Sequence, residues 1–372
     1  MSRIAINTIC LEPGRQGGAE TYIRRLVESL QAIDTEEHFT ILVGEGNDLK
    51  VDHPRFDVAR FAVNPHHRNR RILWEQVVLP RLLKPMQFDL VHFPYSSSPV
   101  LYRGVSVVSI HDSIRFQFPK MVPVVERMYR WAIERGLQRR PMRIIGVSSA
   151  DVGILRDHLR LQKKQITSVS HGLDVKFRAF DSPVDWARRA DEVIWTGAPY
   201  PHKNLAVVFD AYRILKEKGV MLPVLRIIGC RDAFQVAMIK QQVKDLCDLV
   251  RVEQAIAHDQ LLVHYRQAKL FLFPSKYESF GMPVLEAMGC GTPTIVSDIP
   301  AMREIYADAA VLCPEGSAES FAQAIEALLT DRVQWQMRAN RGIELARRFS
   351  WEKCARATLD IYRATIADYG GR

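Results

Sequence analysis

No apolar run in this 372-residue chain approaches the roughly 20 residues needed to cross a bilayer. The first twenty residues also lack the basic, apolar and small-residue regions of a secretory signal, so the chain is expected to remain in the cytoplasm. Six cysteines (Cys10, Cys230, Cys247, Cys290, Cys313 and Cys354) are scattered without paired spacing. That pattern argues against a disulfide framework or a zinc site and for small core residues in a reducing compartment. No Asp-x-Asp triplet occurs, so the usual carboxylate pair for Mg2+ or Mn2+ is missing, and no metal site is expected. Ser-His-Asp, Cys-His and His-x-x-x-His constellations with suitable spacing are absent as well, which removes support for hydrolase chemistry. The dinucleotide fingerprint G-x-G-x-x-G is not found, nor are internal repeats or low-complexity tracts.

What remains is an ordinary globular composition, 47% hydrophobic and 25% charged, long enough for two domains that each bury a core. The net charge of +9 is unevenly placed: 27 Lys and Arg face 20 Asp and Glu in residues 1–185, against 24 and 22 beyond. Within residues 60–143 the basic excess includes Arg68, Arg70, Arg71, Arg81, Arg127, Arg130, Arg135, Arg139, Arg140 and Arg143. Such a concentration attracts anionic surfaces. Without an RNP-type aromatic motif, a zinc finger or an Arg/Gly tract, the expected partner is a lipid surface and not nucleic acid.

Short β-branched apolar runs alternate with helical patterns at residues 3–10, 38–44, 88–94, 105–112, 143–148 and 165–170. Several are apolar almost throughout, as parallel strands covered on both faces should be. After a polar stretch at 178–191 the rhythm restarts at 192–197, 225–229, 270–275, 293–298 and 309–313. The expected architecture is α/β, with two doubly wound domains at 1–185 and 186–350. A terminal helix follows at 351–372, with Ser350 as its N-cap. In open sheets of this kind ligands sit beyond the carboxyl ends of the strands. That selects the loops 11–20, 110–115, 196–204 and 274–286.

The most informative of these runs from Phe273 to Ala287. Gly281 precedes Pro283, which is expected at a first helical position, so backbone N–H groups and the helix dipole would face an anion there. Glu278 in the loop and Glu286 in the helix flank this position and can accept hydrogen bonds from hydroxyls. Gly17 and Gly18, just before the helical pattern 21–30, permit close backbone approach to a ligand.

Glu278-x7-Glu286 within ESFGMPVLEAMGCGTPTIVSD resembles the signature of glycosyltransferase family 4, the glycosyl transferases group 1. Gly17-Gly18-Ala19-Glu20 is similar to that family's N-terminal glycine loop. His111-Asp112 resembles its histidine segment, Gly146-Val147-Ser148-Ser149 its serine motif and Lys203-Asn204 its phosphate-binding lysine. The resemblance implies the GT-B fold, two Rossmann-like domains facing a central cleft, with the terminal helix crossing back to the first.

It further implies that Glu286 holds a nucleotide ribose. Glu278, Ser279 and the backbone of Phe280, Gly281 and Met282 would contact the donor sugar and its phosphates, with Gly17 and Gly18 also at the donor. Lys203 would neutralise the diphosphate, and His111 would bind hydroxyls of the transferred sugar. Where many relatives carry an arginine, this chain has Ala198 and His202, so the second diphosphate cation is expected to be either a ligand-protonated His202 or a residue elsewhere in the chain. The implied activity is retaining, metal-independent transfer of a hexose, mannose-like or deoxyhexose first. The donor would be a nucleotide-diphosphate sugar and the acceptor a saccharide, lipid-linked, in surface polysaccharide or lipopolysaccharide assembly. No cofactor is implied beyond the donor itself. The first domain would bind the acceptor at the inner face of a membrane, as a peripheral protein. A GT-B enzyme acting on a soluble sugar or sugar phosphate, a nucleotide-sugar epimerase, and a noncatalytic nucleotide-binding protein are the alternatives.

Overall fold

The computed structural model describes residues 1–12, 17–96, 98–118, 140–178 and 184–370. The chain divides into two compact units, Met1–Gly172 with Trp351–Arg372, and Leu173–Ser350. Both are α/β with a wholly parallel sheet, so the doubly wound expectation holds in each.

In the first unit the strands are β1 (Arg3–Asn7), β2 (His38–Val43), β3 (Phe56–Arg60), β4 (Leu90–Phe93), β5 (Ser106–Ser109), β6 (Met142–Gly146) and β7 (Ile166–Ser168). Their order is β3-β2-β1-β4-β5-β6-β7. Helices α1 (Gly18–Gln31), α2 (Arg68–Val77), α3 (Leu79–Met86), α4 (Ile114–Gln117) and α5 (Ser149–Leu159) are described alongside. β4 and β5 are buried at every position, because a parallel sheet is covered on both faces.

The second unit holds β8 (Glu192–Thr196), β9 (Val224–Cys230), β10 (Val250–Gln254), β11 (Leu270–Phe273), β12 (Thr294–Ser297) and β13 (Val311–Cys313), ordered β10-β9-β8-β11-β12-β13. Its helices are α6 (Ala206–Glu217), α7 (Ala233–Gln242), α8 (His258–Gln267), α9 (Met282–Gly289), α10 (Pro300–Tyr306), α11 (Ala318–Thr330) and α12 (Arg332–Arg347).

The chain leaves the first unit at Gly172, ahead of the expected 185/186 boundary. The reason is packing: Phe177 is fully buried, meets the rings of His258 and Tyr265 edge-on at 4.7 and 5.9 Å, and accepts the Cys290 thiol on its carbonyl. Those contacts tie the segment after Gly172 to the second unit. Two strands, β3 and β10, were not expected from the sequence. Both are edge strands, β3 with three exposed residues (Asp57, Val58 and Arg60) and β10 with two (Arg251 and Gln254), so neither reads as an apolar run.

The terminal helix α13 (Trp351–Tyr369) returns to the first unit. Its inward face carries Trp351, Cys354, Ala355, Thr358, Leu359, Tyr362 and Thr365, a helical spacing. Tyr362 Oη bonds His92 Nδ1 at 2.6 Å, Arg143 Nη2 reaches Asp368 at 2.7 Å, and Arg363 Nε reaches Glu37 Oε1 at 2.7 Å.

The basic stretch is only partly a surface. Arg71 and Arg140 are both buried, Arg140 donating to the carbonyls of Pro99 and Val100, and Arg143 is engaged by Asp368. Arg68, Arg70, Arg81 and Lys84 are exposed on α2 and α3, beside exposed Leu73 and Leu82. Arg127, Arg130, Arg135 and Arg139 lie outside the described residues. No described helix is long and apolar enough to cross a membrane.

The Arg363–Glu37 tie has an acid signature. Burial alone would raise the Glu37 carboxyl, but hydrogen bonds from Arg363 and Thr35 pull it down to about 2. A depressed folded value gives stability that is present above the ordinary carboxylate pKa and is lost as pH falls through the folded one. The melting-temperature gap between the wild type and Glu37→Gln should be widest above about pH 5 and narrow progressively toward pH 2. A gap independent of pH would show that the carboxylate charge does not hold α13.

Candidate functional site

In the second unit the strand order reverses direction between β8 and β11, and the loops after these strands diverge at their carboxyl ends. Lys203, Glu278 and the α9 N-terminus all lie on these two loops. The loop after β8 begins at Gly197 (φ +133°), whose N–H donates to Ile228 O at 2.9 Å. Gly229 (φ +126°) lies so close that a Cβ on it would fall 2.4 Å from the Gly197 carbonyl oxygen. Only glycine allows the ends of β8 and β9 to touch in this way.

Past Pro201–Lys203, a single 3-10 turn, the chain places Lys203 Nζ 2.5 Å from Glu278 Oε1 and 5.0 Å from the centre of the Phe273 ring. Both side chains are largely shielded. The His202 carbonyl accepts the Lys276 N–H at 2.8 Å, which joins the two loops through their backbones. The buried His202 ring stacks on Tyr200 at 5.8 Å, and Arg231, at the end of β9, lies over Tyr200 at 5.2 Å. Tyr200 and Arg231 were not anticipated.

After β11, Ser275 Oγ is fully buried and has no hydrogen-bond partner among the described residues. Ser279 bonds Tyr277 Oη at 2.7 Å, and Phe280 is held between Tyr306 and Phe349. Gly281 adopts φ +83° beneath Met302, whose Cε would lie 2.7 Å from an added Cβ. α9 therefore starts at Met282, one residue before the expected Pro283. No side chain caps it; Val284 N–H turns back to Gly281 O, so the N–H groups of Gly281 and Met282 remain for an anion.

Glu286, one turn into α9, is buried and accepts from His258 Nε2 at 3.1 Å. Tyr265 Oη, 2.9 Å from Thr196 Oγ1, stands beside the same carboxylate. Burial first, and the Glu286 charge second, push the Tyr265 hydroxyl well above its ordinary range, so it stays protonated. Thr196 opens the selected loop 196–204, whereas His258 and Tyr265 escaped the sequence reading because they belong to no local motif and lie 28 and 21 residues from Glu286 along the chain.

Gly17, Gly18 and His111 lie in the first unit. Gly17 (φ +54°) is the N-cap of α1, and a Cβ on it or on Gly18 would meet nothing within 4 Å, so this N-terminus faces open space. His111 Nε2 donates to Pro94 O at 2.7 Å. That bond fixes Nδ1 as an acceptor, and Nδ1 has no partner among the described residues. Burial holds the ring below the ordinary histidine range, hence neutral. Tyr22 meets the ring edge-on at 4.6 Å, and the Tyr22 hydroxyl continues through Ser109 Oγ and His92 to Tyr362 on α13. Asp112 is exposed, and the Pro94 carbonyl orients the His111 imidazole.

Two units, each with a wholly parallel doubly wound sheet, define the GT-B fold, and the second bears an uncapped helix N-terminus, a lysine and two carboxylates near its switch point. The chain belongs to glycosyltransferase family 4: the profile described as Glycosyl transferases group 1 matches residues 184–348, and that of Glycosyltransferase Family 4 matches residues 16–177. It is 28% identical to the O-antigen chain mannosyltransferase B of Escherichia coli over 46% of this chain and 45% of that one. In this and further curated relatives the matched segment is less than half of the relative's length.

Among solved structures, sucrose-phosphate synthase of Thermosynechococcus elongatus superposes with a TM-score of 0.77 at 19% identity, covering 99% and 100% of the two chains. Anabaena HepE in complex with UDP-glucose gives 0.71 at 17%, covering 97% and 99%. At these identities the likeness shows the fold.

Proposed function

We propose that the protein transfers a hexose, with retention of anomeric configuration and without a metal ion, from a nucleotide-diphosphate sugar to a saccharide acceptor. The observation that carries this reading is the meeting of Lys203, Glu278 and the uncapped α9 N-terminus at one switch point, with Glu286 one turn behind. An ammonium and two backbone N–H groups suit a diphosphate whose charge grows as it departs.

In the proposed reaction an acceptor hydroxyl attacks the anomeric carbon from the face the diphosphate is leaving. The bond from that carbon to the phosphate oxygen breaks, and the departing oxygen takes the acceptor's proton. Glu278 is a binder in this scheme. Its carboxylate is held by Lys203 at 2.5 Å, which lowers its nucleophilicity and leaves its other oxygen for sugar hydroxyls. His111, neutral with a free acceptor at Nδ1, suits a donor-sugar hydroxyl. Ser279, Phe280 and the backbone of Gly281 and Met282 would line the donor, His202 would join Lys203 at the diphosphate, and Gly17 and Gly18 are further candidate donor contacts.

In this reading the cations supply the charge that a metal would otherwise bring. Activity should persist in EDTA, and Lys203→Ala should lower turnover on the order of 100-fold, comparable to loss of one oxyanion donor. Loss of activity in EDTA that Mn2+ or Mg2+ restores would refute the metal-independent mechanism.

A mannose-like or deoxyhexose donor and a lipid-linked acceptor in surface-polysaccharide assembly are favoured by the mannosyltransferase relative and by the basic α2–α3 surface. The protein would then work in the cytoplasm, at the inner face of the membrane. Exposed Arg68, Arg70, Arg81 and Lys84 around Leu73 and Leu82 combine charge with apolar contact, and each basic residue near an anionic surface contributes about 1 kcal/mol. The enzyme should sediment with vesicles containing anionic lipid at low salt and be released at high salt. Arg68→Glu with Arg70→Glu and Arg81→Glu should abolish sedimentation while keeping the wild-type melting temperature; Arg71 is left intact because it is buried. Equal sedimentation of wild type and triple variant would overturn the membrane role of this face, and failure of both to sediment would favour a soluble acceptor.

A further inference from the structure

The two carboxylates of the second unit's site are not equivalent. Glu278 is held by a lysine from the β8 loop, whereas Glu286 is held from α8, by groups that no motif of the family resemblance marks. His258 is the first residue of α8 and Tyr265 lies two turns further along the same face, so one helix presents both an imidazole N–H and a phenol to Glu286. The two ends of this contact differ in exposure: the Glu286 side chain is 10% exposed and that of His258 is 43% exposed. His258 therefore stands where the buried carboxylate opens to solvent. Its ring is fixed edge-on to Phe177 at 4.7 Å, and the next residue, Asp259, is pinned by Lys176 at 2.7 Å.

A carboxylate has two oxygens and several lone-pair directions, and can rotate about its last bond unless something holds it. A vicinal diol is read well only when one oxygen is presented at a fixed angle, because pre-orientation removes the entropy lost on binding. We infer that His258 is a positioning residue for nucleotide recognition, its Nε2–H holding Oε1 of Glu286 so that the second oxygen meets the 2′- and 3′-hydroxyls of the ribose. The inference rests on the reading of Glu286 as the ribose contact. It assigns part of ribonucleotide selectivity to the start of α8, outside the Glu-x7-Glu block.

The test is calorimetric titration of the full chain with UDP and GDP, the tighter of the two being compared with its 2′,3′-dideoxy form. Wild type should favour the ribonucleotide. His258→Ala should weaken the ribonucleotide about tenfold, the size expected for losing one hydrogen bond to a charged group, and leave dideoxynucleotide affinity unchanged. His258→Gln, which keeps an N–H donor, should recover most of the loss. Equal weakening of both ligands by His258→Ala, or no weakening of either, would overturn the positioning role. If wild type fails to distinguish the two ligands and Glu286→Gln changes neither affinity, the ribose reading of Glu286 itself falls, and this inference falls with it. Discrimination that survives in His258→Ala but is lost in Glu286→Gln would retain the ribose contact and reject His258 alone.

Discussion

Arg189 is the constraint on which the second unit's site depends. Its guanidinium is partly buried and has no carboxylate partner among the described residues, and burial lowers its pKa to about 10, leaving it charged at neutral pH. Nη1 and Nη2 instead donate to the carbonyls of Tyr265, Arg266, Ala268, Cys290 and Gly291 and to Thr292 Oγ1. Those carbonyls are the frayed carboxyl ends of α8 and α9, where the helix dipoles are negative. One cation thus satisfies both helix ends and locks them together. The opposite ends of the same helices carry His258 and the α9 anion position.

From that lock the geometry of the site follows. With α8 and α9 fixed as a pair, His258 and Tyr265 meet Glu286 without freedom to drift. With β8 and β9 joined at Gly197 and Gly229, the Lys203 loop is fixed against the same sheet. The remaining tie is the His202 carbonyl to Lys276 N–H bond between the two loops. In the second unit the side chains proposed to hold the donor are thus carried by elements tied to one another, which is how a binding site gains precision without rigid side chains.

The sequence disclosed what is written locally. Apolar runs located the covered strands, the Ser350 cap signal marked the start of α13, and the Glu278–Glu286 block marked the candidate site. Edge strands β3 and β10 escaped because exposure on one face breaks an apolar run. Arg71 and Arg140 were assigned to the surface by residue type, yet Arg140 is satisfied by carbonyls of residues 99 and 100 that only the fold brings near. Arg189, His258 and the path from His111 through Tyr22, Ser109 and His92 to Tyr362 consist of contacts distant in sequence. No local spacing can announce such partners.

The ends of β8 and β11 are proposed to bind a nucleoside diphosphate through charge on its second phosphate. Equilibrium titration of the full chain with UDP, UMP, GDP and GMP tests it directly. At least one diphosphate should bind at one site per chain, about tenfold or more tighter than its monophosphate, since the added charge meets Lys203 and the α9 N-terminus. Equal affinity for diphosphate and monophosphate, or no binding of any of the four, would contradict a diphosphate site at these strand ends.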